Sequence, residues 1–128
     1  MENRKVVVDT SVFIEFLRAK DKTQTTLYQI PDSTNICISS VTLYELLMGA
    51  TDESKAKDVS ALTNDLIILS FSESIAKEAS LIYHKLRKQN KMIEFRDIFI
   101  AATCIINGMP IVTLNKKHFE RIKDLKIK

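Results

Sequence analysis

Lys5-Val6-Val7-Val8-Asp9-Thr10-Ser11-Val12-Phe13-Ile14 places a run of β-branched apolar residues ahead of one carboxylate and two hydroxyls. The valines read as a strand buried on both faces. Asp, Thr and Ser are residues that begin helices. Asp9 therefore stands where a central strand hands over to a helix. A carboxylate there is either a helix cap or one corner of a site, and the rest of the chain decides between the two.

Working outward, apolar runs alternate with helical patterns. Residues 11–18 and 23–30 predict short helices, the second closed by Pro31 and Asp32, and residues 35–39 a second strand. Residues 40–50 predict a helix with Val41, Tyr44, Leu47 and Met48 on one side and Gly49 as its C-terminal cap. Residues 55–64 form a more polar helix, and 66–69 a third buried strand. From Ser72, Ile75, Ala79, Ile82 and Leu86 mark one face of a long helix. Asp97 opens a helix over 98–107, ended by Gly108 and Pro110. Residues 111–114 predict a fourth strand, 116–121 a short helix, and 125–127 a fifth strand at an edge. Buried strands separated by helices predict an α/β domain: three layers, α/β/α, around a mostly parallel sheet of four to five strands. The two-helix crossover before strand four is long enough to bring that strand beside strand one. The strand order then switches at strand one, where open α/β sheets bind ligands.

At 128 residues, the chain from 1 to 128 is expected to form one domain that buries roughly two thirds of its unfolded surface. A hydrophobic fraction of 45% and a charged fraction of 27% are those of an ordinary globular protein. The net charge of +3 permits a nucleic-acid partner without requiring one. No signal peptide is legible, and the longest uncharged run, 98–115, is broken by Asn107, Gly108 and Pro110, so no membrane span is predicted. Cys37 and Cys104 lie in apolar runs and read as buried thiols rather than a disulfide. A cytoplasmic protein is the simplest expectation. With only Gly49 and Gly108 as glycines, neither a phosphate-cradling loop nor a dinucleotide fingerprint is present.

The acids that interrupt apolar segments share one placement. Glu45 is the only Asp, Glu, Lys or Arg between Asp32 and Asp52, and Asp97 guards a segment without any until Lys116. In a parallel sheet the helices run against the strands, so helix starts gather at the strands' carboxyl edge. Asp9, Glu45 and Asp97 should meet there, with Asn115 just past strand four. Taken singly, Asp9 and Asp97 could be caps, and Thr42 with Glu45 fits a capping box. Taken together, three carboxylates at one edge repel each other unless a cation offsets them. The cation that suits such donors is Mg²⁺ or Mn²⁺.

Val6 to Ile14, then 38–49, then Arg96-Asp97-Ile98-Phe99-Ile100-Ala101-Ala102, then 111–119 resemble, in order, the four blocks of the PIN domain. More narrowly they are similar to VapC-type toxins of toxin–antitoxin pairs. The resemblance implies an Mg²⁺- or Mn²⁺-dependent endoribonuclease, a homodimer, with RNA as substrate and a small VapB-like antitoxin as partner. It places Asp9, Glu45 and Asp97 at the acidic site positions and Thr10 or Ser11 at the hydroxyl position. The ion would be held by Asp9 and Asp97, with Glu45 and Asn115 acting directly or through water. The last block departs from the family, with Asn115 and His118 where members often carry another acid, which implies one well-occupied metal and a second filled only alongside substrate phosphate. Thr113 is placed to hydrogen-bond a carboxylate, and Arg96, Lys116 and Lys117 to meet phosphates.

Two other classes stay open on the residues alone. Asp9 would suit an aspartyl-phosphate phosphotransfer enzyme, although Thr10 and Ser11 follow where a second acid is usual. The acids could also bind metal only to hold a protein partner. His84 and His118 read as helix-surface residues, and the basic run 84–91 as a helix end or an RNA contact.

Overall fold

A computed structural model describes residues 4–128. Four parallel strands, β1 (Arg4–Val8), β2 (Thr34–Ser39), β3 (Ile67–Leu69) and β4 (Ile111–Val112), stand in the order β3-β2-β1-β4. The first strand is thus central, and β4 pairs beside it through Val7 with Ile111 and Val8 with Val112. The expected switch in strand order at β1 is present.

Among the described residues, seven α-helices cover the two faces: α1 (Thr10–Arg18), α2 (Thr26–Gln29), α3 (Ser40–Gly49), α4 (Glu53–Thr63), α5 (Glu73–Lys88), α6 (Phe95–Ile106) and α7 (Lys116–Phe119). The alternation along β1 decides the layers. Val7, with Cys37 and Ile111, packs against Ile75, Ile82 and Ile98 of α5 and α6. Val6 and Val8, with Ile38 and Val112, pack against Val12, Phe13, Leu46 and Val59 of α1, α3 and α4. Because both faces are covered, the valines have essentially no exposed surface.

Several local expectations shift. The predicted helix 23–30 is split at Thr25, which ends a 3-10 turn (Lys22–Gln24) and, through its hydroxyl, caps α2. The third strand is an edge strand rather than a buried one, with Ile67 and Ile68 both 44% exposed. An apolar run cannot by itself distinguish a central strand from an edge. The fifth strand reduces to a single parallel bridge, Ile127 with Ile111. In α3 the buried side carries Thr42 and Leu46, while Tyr44, Leu47 and Met48 face outward. Gly49 is the last residue of α3 rather than its cap, and Ala50 takes the cap position. Gly108 does end α6, with φ of 64° and Met109 N–H reaching back to the carbonyl of Cys104 at 3.0 Å. Both cysteines are free and buried; burial pushes the Cys104 thiol up to about 12. No helix among the described residues is long and apolar enough to cross a membrane.

Ile100, fully buried in α6, and Ile68, on the edge strand, should therefore respond differently to truncation. Ile100→Ala is expected to cost about 2–5 kcal/mol and Ile68→Ala about 1 kcal/mol or less. Urea unfolding at constant slope measures both, and equal losses would contradict the layer assignment.

Candidate active site

Asp9 is the first residue past β1 and the N-cap of α1, with φ of −72° and ψ of 155°. A cap side chain usually accepts from an amide two or three residues on. Asp9 accepts instead from the adjacent Thr10 N–H at 2.8 Å through Oδ1. Its Oδ2 accepts from the Ser11 hydroxyl at 2.8 Å and from the Thr113 hydroxyl at 2.7 Å. Thr113 follows β4, so the carboxylate is turned toward the end of the neighbouring strand and is buried there. Leu114 N–H donates to Ser11 Oγ at 3.2 Å, and Asn115 N–H to Thr113 Oγ1 at 2.9 Å, which pins the loop after β4 to the start of α1.

Glu45 reaches the same edge from the second turn of α3. The capping box that the spacing of Thr42 and Glu45 allows is not formed. Ser39 caps α3 by accepting from Thr42 N–H at 3.0 Å, which leaves Glu45 too far along the helix to bond the first amides. Its Oε1 accepts from the Thr10 hydroxyl at 2.8 Å, and its Oε2 lies 3.1 Å from Arg96 Nη1. Thr10 Oγ1 also lies 3.0 Å from Thr42 Oγ1, itself 3.2 Å from Ser39 Oγ, so a line of hydroxyls joins α1 to the start of α3.

Asp97 is the third residue of α6, not its cap; Glu94 holds the cap position without a side-chain cap bond. Burial, and then the nearby Asp9 carboxylate, push the Asp97 carboxyl above its usual range, while His118 pulls it back. His118 Nδ1 lies 3.4 Å from Asp97 Oδ2, longer than a well-formed hydrogen bond. Arg96 is doubly paired, its Nη2 lying 2.6 Å from Glu94 Oε2. Burial works against its cation, but Glu45, Glu94 and Asp97 outweigh that and raise its pKa.

Asp9, Thr10, Ser11, Glu45, Arg96, Asp97 and Thr113 are thus linked by contacts or by charge at one sheet edge. Asn115 arrives there by its backbone, at the N-cap position of α7, and its side chain makes no cap bond. Lys116 opens α7, and among the described residues neither it nor the basic run 84–91 forms an ion pair with the three acids. Glu94 carries no signal in the sequence and Thr42 reads there only as half of a capping box; His118 is the exposed helix residue expected, yet it also faces Asp97. The signal for His118 was its place in the block 111–119, three residues past Asn115.

The donor set is hard and oxygen-based, which suits Mg²⁺ or Mn²⁺ rather than a thiophilic metal. Among the described residues no three His, Cys, Asp or Glu side chains already stand in ligand geometry. Asp9 and Asp97, both buried at this edge, could hold such an ion; Glu45 is held by Thr10 and Arg96.

Fold and site together define a parallel α/β domain with buried acids at the switch point of its sheet. The PIN domain model matches residues 6–125. Ribonuclease VapC1 of Methanocaldococcus jannaschii is 31% identical over 99% of this chain and 88% of its own length. Among solved structures, VapBC-1 from nontypeable Haemophilus influenzae superposes with a TM-score of 0.83 at 25% identity, covering 97% of this chain and 96% of that one. DNA-bound VapBC from Salmonella typhimurium gives 0.81 at 26% identity, covering 98% and 97%. The chain belongs to the PIN-domain family and, within it, to the VapC proteins.

The raised carboxyl of Asp97 has a measurable consequence without metal. Its folded form favours the proton, so its contribution is present below the ordinary carboxyl pKa and is lost as pH rises through the raised value. Asp97→Asn should therefore melt higher than the parent chain near pH 7 in chelator. The gain should shrink as pH falls and the parent carboxyl takes up its proton. A lower melting temperature for the variant at pH 7 would contradict the electrostatic description.

Proposed function

We propose that this chain is a divalent-metal-dependent endoribonuclease, the toxin of a toxin–antitoxin pair, with residues 1–128 forming one nuclease domain. The observation that carries this reading is the burial of both Asp9 and Asp97 at the switch-point edge of the sheet, where among the described residues neither forms an ion pair with a lysine or arginine. Its relatives support the reading: the M. jannaschii protein is a ribonuclease by name, and the H. influenzae and S. typhimurium structures are VapBC complexes. The partners are RNA, a VapB-like antitoxin and a second copy of the chain, and the expected setting is the cytoplasm.

Asp9 and Asp97 would hold the ion, Mg²⁺ or Mn²⁺, with Glu45 and Asn115 reaching it directly or through water. When bound, such an ion supplies a water acidic enough to attack phosphorus near neutral pH and offsets charge on the phosphoryl oxygens. The chain's own residues do the rest. Thr10 N–H, Ser11 and Thr113 fix the Asp9 carboxylate, so little reorganisation accompanies substrate binding. Glu45, anchored by Thr10, orients the attacking water, and Arg96 and Lys116 contact RNA phosphates. Hydrolysis in this manner leaves a 5′-phosphate and a 3′-hydroxyl. An aspartyl-phosphate route fits less well, because Asp9 accepts three hydrogen bonds that lower its nucleophilicity.

Cleavage of total RNA should require Mg²⁺ or Mn²⁺ and stop in chelator. Asp9→Asn and Asp97→Asn should each lower the rate at least about 100-fold, and Thr113→Val about 10- to 100-fold, as expected for a residue that orients a ligand. Retained cleavage in both Asn variants, or cleavage in chelator, would exclude this mechanism.

A further inference from the structure

Among the described residues, Arg96 is the only lysine or arginine in an ion pair with Asp9, Glu45 or Asp97. Its guanidinium spans two carboxylates, 3.1 Å from Glu45 Oε2 and 2.6 Å from Glu94 Oε2. With the Thr10 hydroxyl 2.8 Å from Oε1, both oxygens of Glu45 are taken. Asp9 is satisfied by an amide and hydroxyls and Asp97 has only a long contact to His118, so of the three acids Glu45 alone carries an internal arginine counter-ion. The pair is also asymmetric: the Arg96 side chain is 53% exposed and that of Glu45 only 11%. The arginine can leave into solvent without disturbing the core, whereas the glutamate stays at the site. A half-exposed pair of this kind is weak enough to exchange, and a guanidinium matches a phosphate as well as it matches a carboxylate.

The geometry points to Arg96 as an exchangeable counter-ion of Glu45. It holds that carboxylate until RNA arrives, then moves its guanidinium to a backbone phosphate and releases Glu45 to the divalent ion. On the metal-dependent nuclease reading above, RNA binding rather than the ion alone completes the donor set. Glu94 keeps the arginine near the site during the exchange.

Calorimetric titration of Mn²⁺ into the RNA-free chain tests this, with the parent protein, Arg96→Ala, Glu45→Gln and the double variant. Arg96→Ala should bind Mn²⁺ about two- to fivefold more tightly, and the gain should vanish in the Glu45→Gln background. Arg96→Lys, which keeps the charge without the fork, should fall between. In cleavage of total RNA kept below saturation, Arg96→Ala should half-saturate at lower Mn²⁺, and it should need more RNA to reach saturation. A purely structural arginine would move both in the unfavourable direction. Unchanged or weaker Mn²⁺ binding by Arg96→Ala, or a gain that persists undiminished beside Glu45→Gln, overturns the exchange. Absence of Mn²⁺ binding by the parent chain overturns the metal reading itself, and the exchange with it.

Discussion

The Asp9 carboxylate takes hydrogen bonds from Thr10 and Ser11 at the start of α1 and from Thr113 near the far end of the chain. That last bond spans 104 positions of sequence and ties the end of β4 to the end of β1. It forms only because β4 pairs directly beside β1, continued by Asp9 N–H donating to the carbonyl of Val112 at 2.9 Å. Fixed in this way, Asp9 is a rigid corner against which the other acids are placed. Because its oxygens are buried and held by neutral donors, its charge stays uncompensated and is felt by Asp97.

The three acids are consequently not equivalent. Asp9 is locked by hydrogen bonds, Asp97 is destabilised as an anion by burial and by Asp9, and Glu45 is neutralised by Arg96. Three like charges in one cleft would be costly without compensation. The fold manages the repulsion differently at each position, and the Asp9–Asp97 pair is the place proposed for the cation. The hydroxyl line through Thr10, Thr42 and Ser39 then couples the start of α1 to the start of α3, so that Glu45 is oriented by the same residues that begin the two helices.

How much of this was legible in the sequence depended on whether the cause was local. The valine run, the helix start after Asp9 and the end of α6 at Gly108 follow from residue chemistry within a few positions, and they stand as expected. The position of β4 beside β1 followed from the length of the crossover. The edge character of β3 and the outward face of α3 were not legible, since apolar residues look alike whether a neighbouring layer covers them or not. Thr42 and Glu45 matched a capping box by spacing, but Ser39 took the cap because it ends β2 at the helix start. The Arg96–Glu45 and His118–Asp97 contacts join different elements, and no spacing in the sequence encodes them.

The proposed mechanism depends above all on a divalent ion at the Asp9–Asp97 pair. Anomalous diffraction from crystals of this protein soaked in Mn²⁺ locates the ion directly. A single strong peak in direct contact with carboxylate oxygens of both Asp9 and Asp97 is expected. A peak that contacts neither, or well-diffracting crystals with no peak at this edge, would contradict it.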